Sequence, residues 1–102
     1  MRQISESQKK KNAAIAKIKR DLIEETGSTC RICGGYGNDL MHLLPKSVYP
    51  EYYLEPRNLI IGCRTCHCAF DDKITFRREQ ESLISQCREY ALESDVNRYF
   101  KL

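Results

Sequence analysis

Two cysteine pairs constrain this 102-residue chain more than any other feature of its sequence. Each pair has two residues between its cysteines, and the four side chains are Cys30, Cys33, Cys63 and Cys66. This spacing lets one tight turn direct two thiolates at one ion, and two such turns complete a tetrahedral zinc site. Disulfides are the alternative, but the opening residues contain no apolar stretch of the kind that directs export. The pairs therefore predict a closed structural zinc site.

The length and composition favour one small domain with a modest core. No apolar run reaches the roughly 18 residues of a membrane span, because charged side chains interrupt every stretch. We therefore expect an intracellular, cytoplasmic protein without a membrane partner, either a monomer or a homodimer. The two cysteines outside the pairs, Cys68 and Cys87, are expected to be small buried apolar residues.

Residues 1–27 are expected to form a basic arm followed by an amphipathic helix. Seven of the first 26 residues are basic and four are acidic, so this segment carries the whole formal net charge of +3. Apolar residues recur there at three- and four-residue spacing, which predicts a helix over residues 12–25 that stops near Gly27. Such a helix suits a polyanionic partner, although a solvated charged face explains Lys9–Lys11 equally well.

The central segment, residues 28–75, is predicted to be a hairpin followed by a helix. Residues 39–44 form the first predicted strand, which Pro45 ends because proline cannot donate to a sheet. Residues 59–61 form the second. A β-hairpin with helices on either side places the chain in the α+β class.

The helix after the second strand is expected to begin at about Cys66. The loop over residues 45–57 contains three tyrosines, which either pack as a small core or stack on bases. Residues 76–102 are expected to form helices that pack on the central segment, with Ser94 capping the last of them.

Three polar residues accompany the cysteine pairs. His42 and Asn58 lie in the 29-residue interval between the pairs, and His67 lies directly after the second pair. The chain reads Cys-Arg-Ile-Cys, then Asp-Leu-Met-His-Leu-Leu-Pro-Lys, then Pro-Arg-Asn-Leu-Ile-Ile-Gly-Cys-Arg-Thr-Cys-His-Cys-Ala-Phe-Asp-Asp. This stretch, within residues 30–72, resembles the HNH (ββα-metal, His-Me finger) endonuclease family in its zinc-knuckle form. The resemblance implies a zinc-stabilised, treble-clef-like ββα-metal core, made of a short hairpin and a helix, with helices on both sides.

The resemblance also implies a role for each polar residue. His42 falls on the family's general base, a task that suits an imidazole with an ordinary pKa of about 6.5. Asn58 falls on the residue that orients the base. His67 falls on a ligand of a catalytic Mg²⁺ or Mn²⁺ ion, and Asp71, four residues further along the predicted helix, is the second candidate ligand. Asp39 is a third candidate.

The sequence departs from the family pattern at Met41. Many HNH sequences have Asp or His directly before the catalytic histidine as a metal ligand, whereas a thioether is too soft to bind Mg²⁺ well. This departure favours an alternative, a zinc-knuckle module that binds nucleic acid without cutting it. A protein-interaction module of treble-clef type is a third interpretation, but it leaves the three polar residues unexplained.

DNA is the expected partner, bound through its phosphates with little base readout. The resemblance further implies a phage or mobile-element setting, which is common among small free-standing members of the family. Basic residues that flank the motif in the sequence are the candidates for phosphate contacts: Lys46, Arg57, Arg64, Arg77 and Arg78.

Overall fold

The structure is a computed structural model, and it describes residues 5–102. Within this range the fold is α+β, with five helices and one two-stranded antiparallel sheet, and the predicted class is confirmed. The elements in chain order are α1 (Glu6–Thr26), β1 (Asp39–His42), β2 (Leu59–Gly62), α2 (Arg64–Asp72), α3 (Ile74–Arg78), α4 (Glu81–Arg88) and α5 (Glu93–Phe100). Two short 3-10 turns, Pro50–Tyr52 and Pro56–Asn58, lie in the loop between the strands.

The hairpin pairs β1 with β2, so that Asp39 lies opposite Gly62 and His42 lies opposite Leu59. The strand β1 ends at His42, two residues earlier than predicted. Leu43 still donates to the Asn58 backbone oxygen in register at 2.8 Å, but the ladder goes no further, because the Asn58 amide donates to the Glu55 carbonyl and the Leu44 amide donates to the Asn58 side-chain oxygen at 2.9 Å. The residue that was expected to orient the base thus also stops the strand.

The core lies between the hairpin and the helices α2, α4 and α5. Apolar burial of this kind is the main favourable contribution to folding. The buried core residues are Met41, Leu43, Leu44, Tyr49, Tyr52, Ile60, Phe70, Leu83, Ile84, Cys87, Val96 and Phe100. Two of the three loop tyrosines belong to this set, so packing, rather than base stacking, accounts for them. Cys87 is buried as predicted, but the prediction for Cys68 is wrong, because its side chain is exposed on α2.

Helix α1 is longer than predicted and begins at Glu6. The hydroxyl of Ser5 accepts a hydrogen bond from the Gln8 amide at 3.2 Å and caps the helix. Gly27 ends it in the left-handed conformation (φ +70°) that glycine adopts without strain. Lys9–Lys11 are therefore helical rather than part of an arm, and residues 1–4 of the predicted arm lie outside the described range. No residue of α1 is fully buried, and the helix packs mainly against β2.

The C-terminal segment forms helices, as predicted, but their boundaries differ. The predicted stripe from residue 76 onward is divided between α3 and α4. Ser94 does not cap α5; Leu92 occupies that position, and its carbonyl accepts from the Asp95 and Val96 amides. Among residues 5–102, no helix has both the length and the apolar character that crossing a bilayer requires.

Candidate functional site

The four paired cysteines come together at the end of the hairpin that is closest to α2. Their sulfur atoms all lie within 4.8 Å of one another, and the Cys33 and Cys63 sulfurs are 3.8 Å apart. Thiolates bound to one tetrahedral zinc ion at about 2.3 Å are separated by about 3.8 Å. The set therefore fits a structural zinc ion, and the four residues are the ones predicted from the sequence.

Local backbone geometry explains why the two pairs meet. The amide of Cys33 donates to the Cys30 sulfur, and the amide of Cys66 donates to the Cys63 sulfur, both at 3.4 Å. Gly37 lies directly against the backbone at the end of β2, where an added Cβ would lie 2.7 Å from the Gly62 carbonyl carbon. Only a glycine permits this close approach, which brings the first turn against the second.

The thiol of Cys30 is prepared for a metal by its hydrogen bonds. Burial acts to raise its pKa, but amide hydrogen bonds from Cys33, Cys63 and Ile32 outweigh burial and lower the pKa to about 6. A thiolate is the form of cysteine that binds metal.

A cleft of about 400 Å³ lies between the end of β1 and the helix α2. Its lining residues are His42, Pro45, Lys46, Ser47, His67, Asp71, Arg77 and Tyr99. The structure thus brings together both histidines, one candidate carboxylate and one candidate lysine, which the sequence distributes over thirty positions. Arg57, Arg64 and Arg78 do not line this cleft.

His42 lies at the last position of β1, half-buried, with its ring stacked on Tyr53 at a centroid separation of 5.2 Å. The ammonium group of Lys46 lies over the same Tyr53 ring, 4.5 Å from its centroid. Nε2 of His42 is buried and has no hydrogen-bond partner among the described residues. Burial lowers the pKa of His42 below its ordinary value, against a backbone hydrogen bond at Tyr53 that acts to raise it. The ring is therefore neutral near pH 7, with one nitrogen able to accept a proton.

His67 lies between two carboxylates. Its Nδ1 is 3.0 Å from Oδ2 of Asp39, and its Nε2 is 3.3 Å from Oδ2 of Asp71, one turn further along α2. Asp39 also pairs with Arg64, whose Nε is 2.8 Å from Oδ2. The hydrogen bond with His67, followed by the charge of Arg64, lowers the pKa of Asp39. Burial raises the pKa of Asp71.

Asn58 is fully buried and clamps the chain that follows His42. Its side-chain oxygen accepts from the Leu44 amide, and its Nδ2 donates to the Leu44 carbonyl at 3.0 Å. The hydroxyl of Tyr90 on α4 also donates to the Asn58 side-chain oxygen. This geometry agrees with the predicted bracing role, while any effect on catalysis stays a prediction. Tyr53 and Tyr90, which contact His42 and Asn58, were missed because no sequence spacing links them to the motif.

The candidate phosphate-binding residues differ in their surroundings. Arg77 is buried, and its three nitrogens donate to the carbonyls of Phe70, Asp71 and Tyr99 at 2.7–3.0 Å. The expectation that it contacts phosphate is corrected, because its guanidinium ties α2 to α5. Arg57 is occupied by Glu55 and by the Glu89 carbonyl.

The remaining candidates are more exposed. Arg64 pairs with Asp39 but stays largely in solvent, and Arg78 is exposed away from the cleft. Lys46 is exposed at the cleft itself. Of the five basic residues, Lys46 alone combines exposure with a place at the cleft, and phosphate binding there stays a prediction.

Part of this chain is similar to part of a phage protein. Protein ea31 of Escherichia phage lambda is 37% identical over 49 residues, which cover 46% of this chain and 17% of ea31. The chain thus matches less than a fifth of the length of that protein. No protein-family profile matches the sequence, and the search of solved structures gave no match. The similarity fits a phage origin.

Proposed function

We propose that this protein is a metal-dependent DNA endonuclease in which His42 is the general base of phosphodiester hydrolysis. The observation that carries the proposal is the composition of the cleft. A buried imidazole nitrogen without a partner among residues 5–102 shares it with a second histidine, a carboxylate and an exposed lysine. The resemblance of residues 30–72 to HNH nucleases supports the same assignment. The similarity to a phage protein agrees with the setting in which small members of that family are common.

His42 would act through its imidazole ring, which lines the cleft. Because burial lowers the pKa of His42, the ring is neutral near pH 7 and can take a proton from water. The water oxygen then attacks phosphorus, and the bond to the 3′ oxygen breaks. The Tyr53 ring holds the imidazole plane, and Lys46 supplies positive charge for the phosphate at the edge of the cleft.

His67 and Asp71 are the residues that would hold a catalytic divalent ion. Their Nε2 and Oδ2 atoms lie 3.3 Å apart, and adjacent ligands of an octahedral Mg²⁺ ion are separated by about 3 Å. The pair fits such an ion. When bound, the ion polarises the scissile phosphate and stabilises charge on the leaving oxygen.

A zinc-knuckle module that binds nucleic acid without cutting it is the second candidate. Met41 favours it, because this side chain is fully buried in the core and no ligand can be supplied from that position. In that case Lys46 and the basic residues of α1 would bind DNA, and the histidines would have no chemical role.

A plasmid-nicking assay separates the two candidates. Wild type and His42→Ala are compared with Mg²⁺, with Mn²⁺ and with EDTA, after both proteins have been purified in the same way. We expect His42→Ala to lower the cleavage rate by about 10²-fold or more. DNA affinity and zinc content should not change, and the melting temperature should fall only by what the ring contact with Tyr53 contributes, because the Nε2 atom of His42 makes no hydrogen bond within residues 5–102. If both proteins bind DNA alike and neither cuts it with any divalent ion, the enzyme proposal is wrong and the binding module stands.

A further inference from the structure

Asp39 was expected as a third ligand for the catalytic ion, but its two oxygens are already in use. Oδ2 lies 3.0 Å from Nδ1 of His67 and 2.8 Å from Nε of Arg64, and Oδ1 lies 3.3 Å from Nη2 of Arg64. Its side chain is 20% exposed, whereas that of Asp71 is 48% exposed. The two carboxylates beside His67 therefore differ: one is held in place by an arginine and the other is open to solvent.

We propose that Asp39, held by Arg64, is a positioning residue that keeps the ring proton of His67 on Nδ1 and so leaves Nε2 free to bind the divalent ion. The identity of the ion rests on the proposed function, whereas the orientation of the ring does not. Asp39 acts through His67 and contacts neither the ion nor the substrate.

The reason lies in the two nitrogens of the imidazole ring. A neutral ring carries one N–H donor and one lone pair, and the carboxylate that accepts from the donor decides which nitrogen keeps the lone pair. Asp39 is the closer of the two carboxylates and is restrained by a two-point contact with Arg64. Metal-bound histidines commonly donate their second N–H to a carboxylate, which fixes both the tautomer and the ring orientation.

This arrangement also bears on the departure at Met41. The buried thioether removes one ligand that other HNH sequences supply. A site with fewer protein ligands depends more strongly on the orientation of each one. Asp39 and Arg64 would compensate by ordering His67 rather than by adding a ligand.

The tautomer of His67 is the first test, and it needs no cleavage. ¹⁵N NMR of the zinc-loaded full chain is recorded at alkaline pH, where the ring signals no longer change with pH and the imidazoles are neutral. The chain has two histidines, so the spectrum of His42→Ala assigns the His67 signals. We expect the proton on Nδ1 in the wild type. In Asp39→Ala we expect it on Nε2, because Asp71 is then the remaining carboxylate acceptor. A wild-type ring protonated on Nε2 would overturn the proposal.

Ion affinity is the second test, with Mn²⁺ titrated into zinc-loaded protein. We expect Asp39→Ala to weaken Mn²⁺ binding by about 10- to 100-fold, the range typical for loss of an outer-shell partner. Arg64→Ala should weaken binding less, since Asp39 keeps its contact with His67. Asp72→Ala is the matched control: this carboxylate lies on α2 beside Asp71, has no hydrogen bond to His67 among the described residues, and should leave affinity unchanged.

The outcomes are distinguishable. Equal Mn²⁺ affinity in Asp39→Ala and wild type, with zinc content and melting temperature preserved, overturns the inference. If Asp39→Ala loses its fold, Asp39→Asn keeps the size of the side chain and removes the charge, and it should shift affinity in the same direction by a smaller factor. If the wild type binds no Mn²⁺, the metal part of the proposed function fails, and the NMR measurement still decides the role of Asp39.

Discussion

The four-cysteine cluster and the histidine cleft are built on the same hairpin and on α2, yet their polar atoms are arranged differently. In the cluster, four like atoms lie within 4.8 Å of one another, and backbone amides satisfy two of them. In the cleft, a buried nitrogen of His42 has no partner within residues 5–102, and the neighbouring donors are of different kinds. A closed set of equivalent ligands stabilises a fold. An open, mixed set of this kind does not close around one ion.

Helix α2 connects the two regions. Cys63 is its N-cap and accepts from the Cys66 amide, Cys66 lies in its first turn, and His67 follows directly. Successive residues of an α-helix differ in direction by about 100°, so neighbours can face different regions. The cluster therefore fixes the position of His67. We expect substitutions in the cluster to disturb the cleft, whereas substitutions in the cleft should leave the cluster intact.

The largest effect is expected from Cys63→Ala. Loss of one ligand should release zinc and abolish cooperative unfolding, because structural zinc contributes about 10 kcal/mol or more in small domains whose total stability is about 5–15 kcal/mol. Circular dichroism melting and metal analysis measure the change. Cys68→Ala is the control, since this exposed thiol lies two residues beyond the cluster and should alter neither quantity. A folded, zinc-free Cys63→Ala protein would show that the cluster is not structural.

Asn58→Ala should have an intermediate effect. Removing the amide leaves the buried N–H and carbonyl of Leu44 without their partners, which should cost about 2–4 kcal/mol of unfolding free energy. Tyr90→Phe removes one hydroxyl and should cost about 1 kcal/mol. Urea unfolding of both variants measures the loss of free energy. An unchanged zinc content would show that the loss comes from the cleft and not from the cysteine cluster. Equal stability of Asn58→Ala and wild type would contradict the bracing role.

The smallest effect concerns the pKa of His42 in Tyr53→Ala. Burial lowers this pKa in the folded protein, and loss of the stacked ring exposes the imidazole, so the pKa should rise toward about 6.5. Histidine proton NMR follows the titration directly. In the pH profile of any cleavage activity, the fall in rate on the acid side should shift to correspondingly higher pH. An unchanged or lower pKa would show that the Tyr53 ring does not shield His42.

The lowered pKa of His42 also sets the sign of its effect on stability. Between the folded pKa and about 6.5 the unfolded chain binds the proton more readily. The contribution of His42 to the free energy of unfolding is therefore fully present above about pH 6.5 and is lost as the pH falls through the pKa that His42 has in the folded protein. In Tyr53→Ala the pH interval between the folded pKa of His42 and about 6.5 should be narrower, which the same titration measures.

Much of the architecture could be predicted from local patterns. The spacing of the cysteines was sufficient to predict their cluster, and the hairpin followed from two short apolar stretches separated by a proline-containing loop. Boundaries were less accurate where a distant side chain decides them. The strand β1 stops at His42 because Asn58, sixteen residues later, donates its own amide to Glu55 and accepts from the Leu44 amide through its side chain. The start of α1 was missed because a single capping serine extends the helix beyond its apolar stripe.

The basic residues illustrate a different kind of error. Charge along a sequence does not reveal whether a guanidinium meets solvent or a row of carbonyls. Arg77 and Arg78 are adjacent in the sequence, yet the first is buried on three backbone oxygens and the second is exposed. The burial of Arg77 depends on the ends of α2 and α5 lying close enough for one guanidinium to reach carbonyls of both. No local sequence pattern encodes that proximity.

The sequence by itself determined the two cysteine pairs, the order of His42, Asn58 and His67 between and after them, and the methionine at position 41, where the resemblance to HNH nucleases implies a ligand. These are properties of residue type and spacing, which local turns and helices carry directly into geometry. Only the tertiary structure decided that Met41 is buried, that Asp39 contacts His67 rather than open space, and that one nitrogen of His42 is left without a partner among residues 5–102. Contacts between distant segments depend on how the hairpin and helices pack, because burial and hydrogen bonding are settled by the whole core at once.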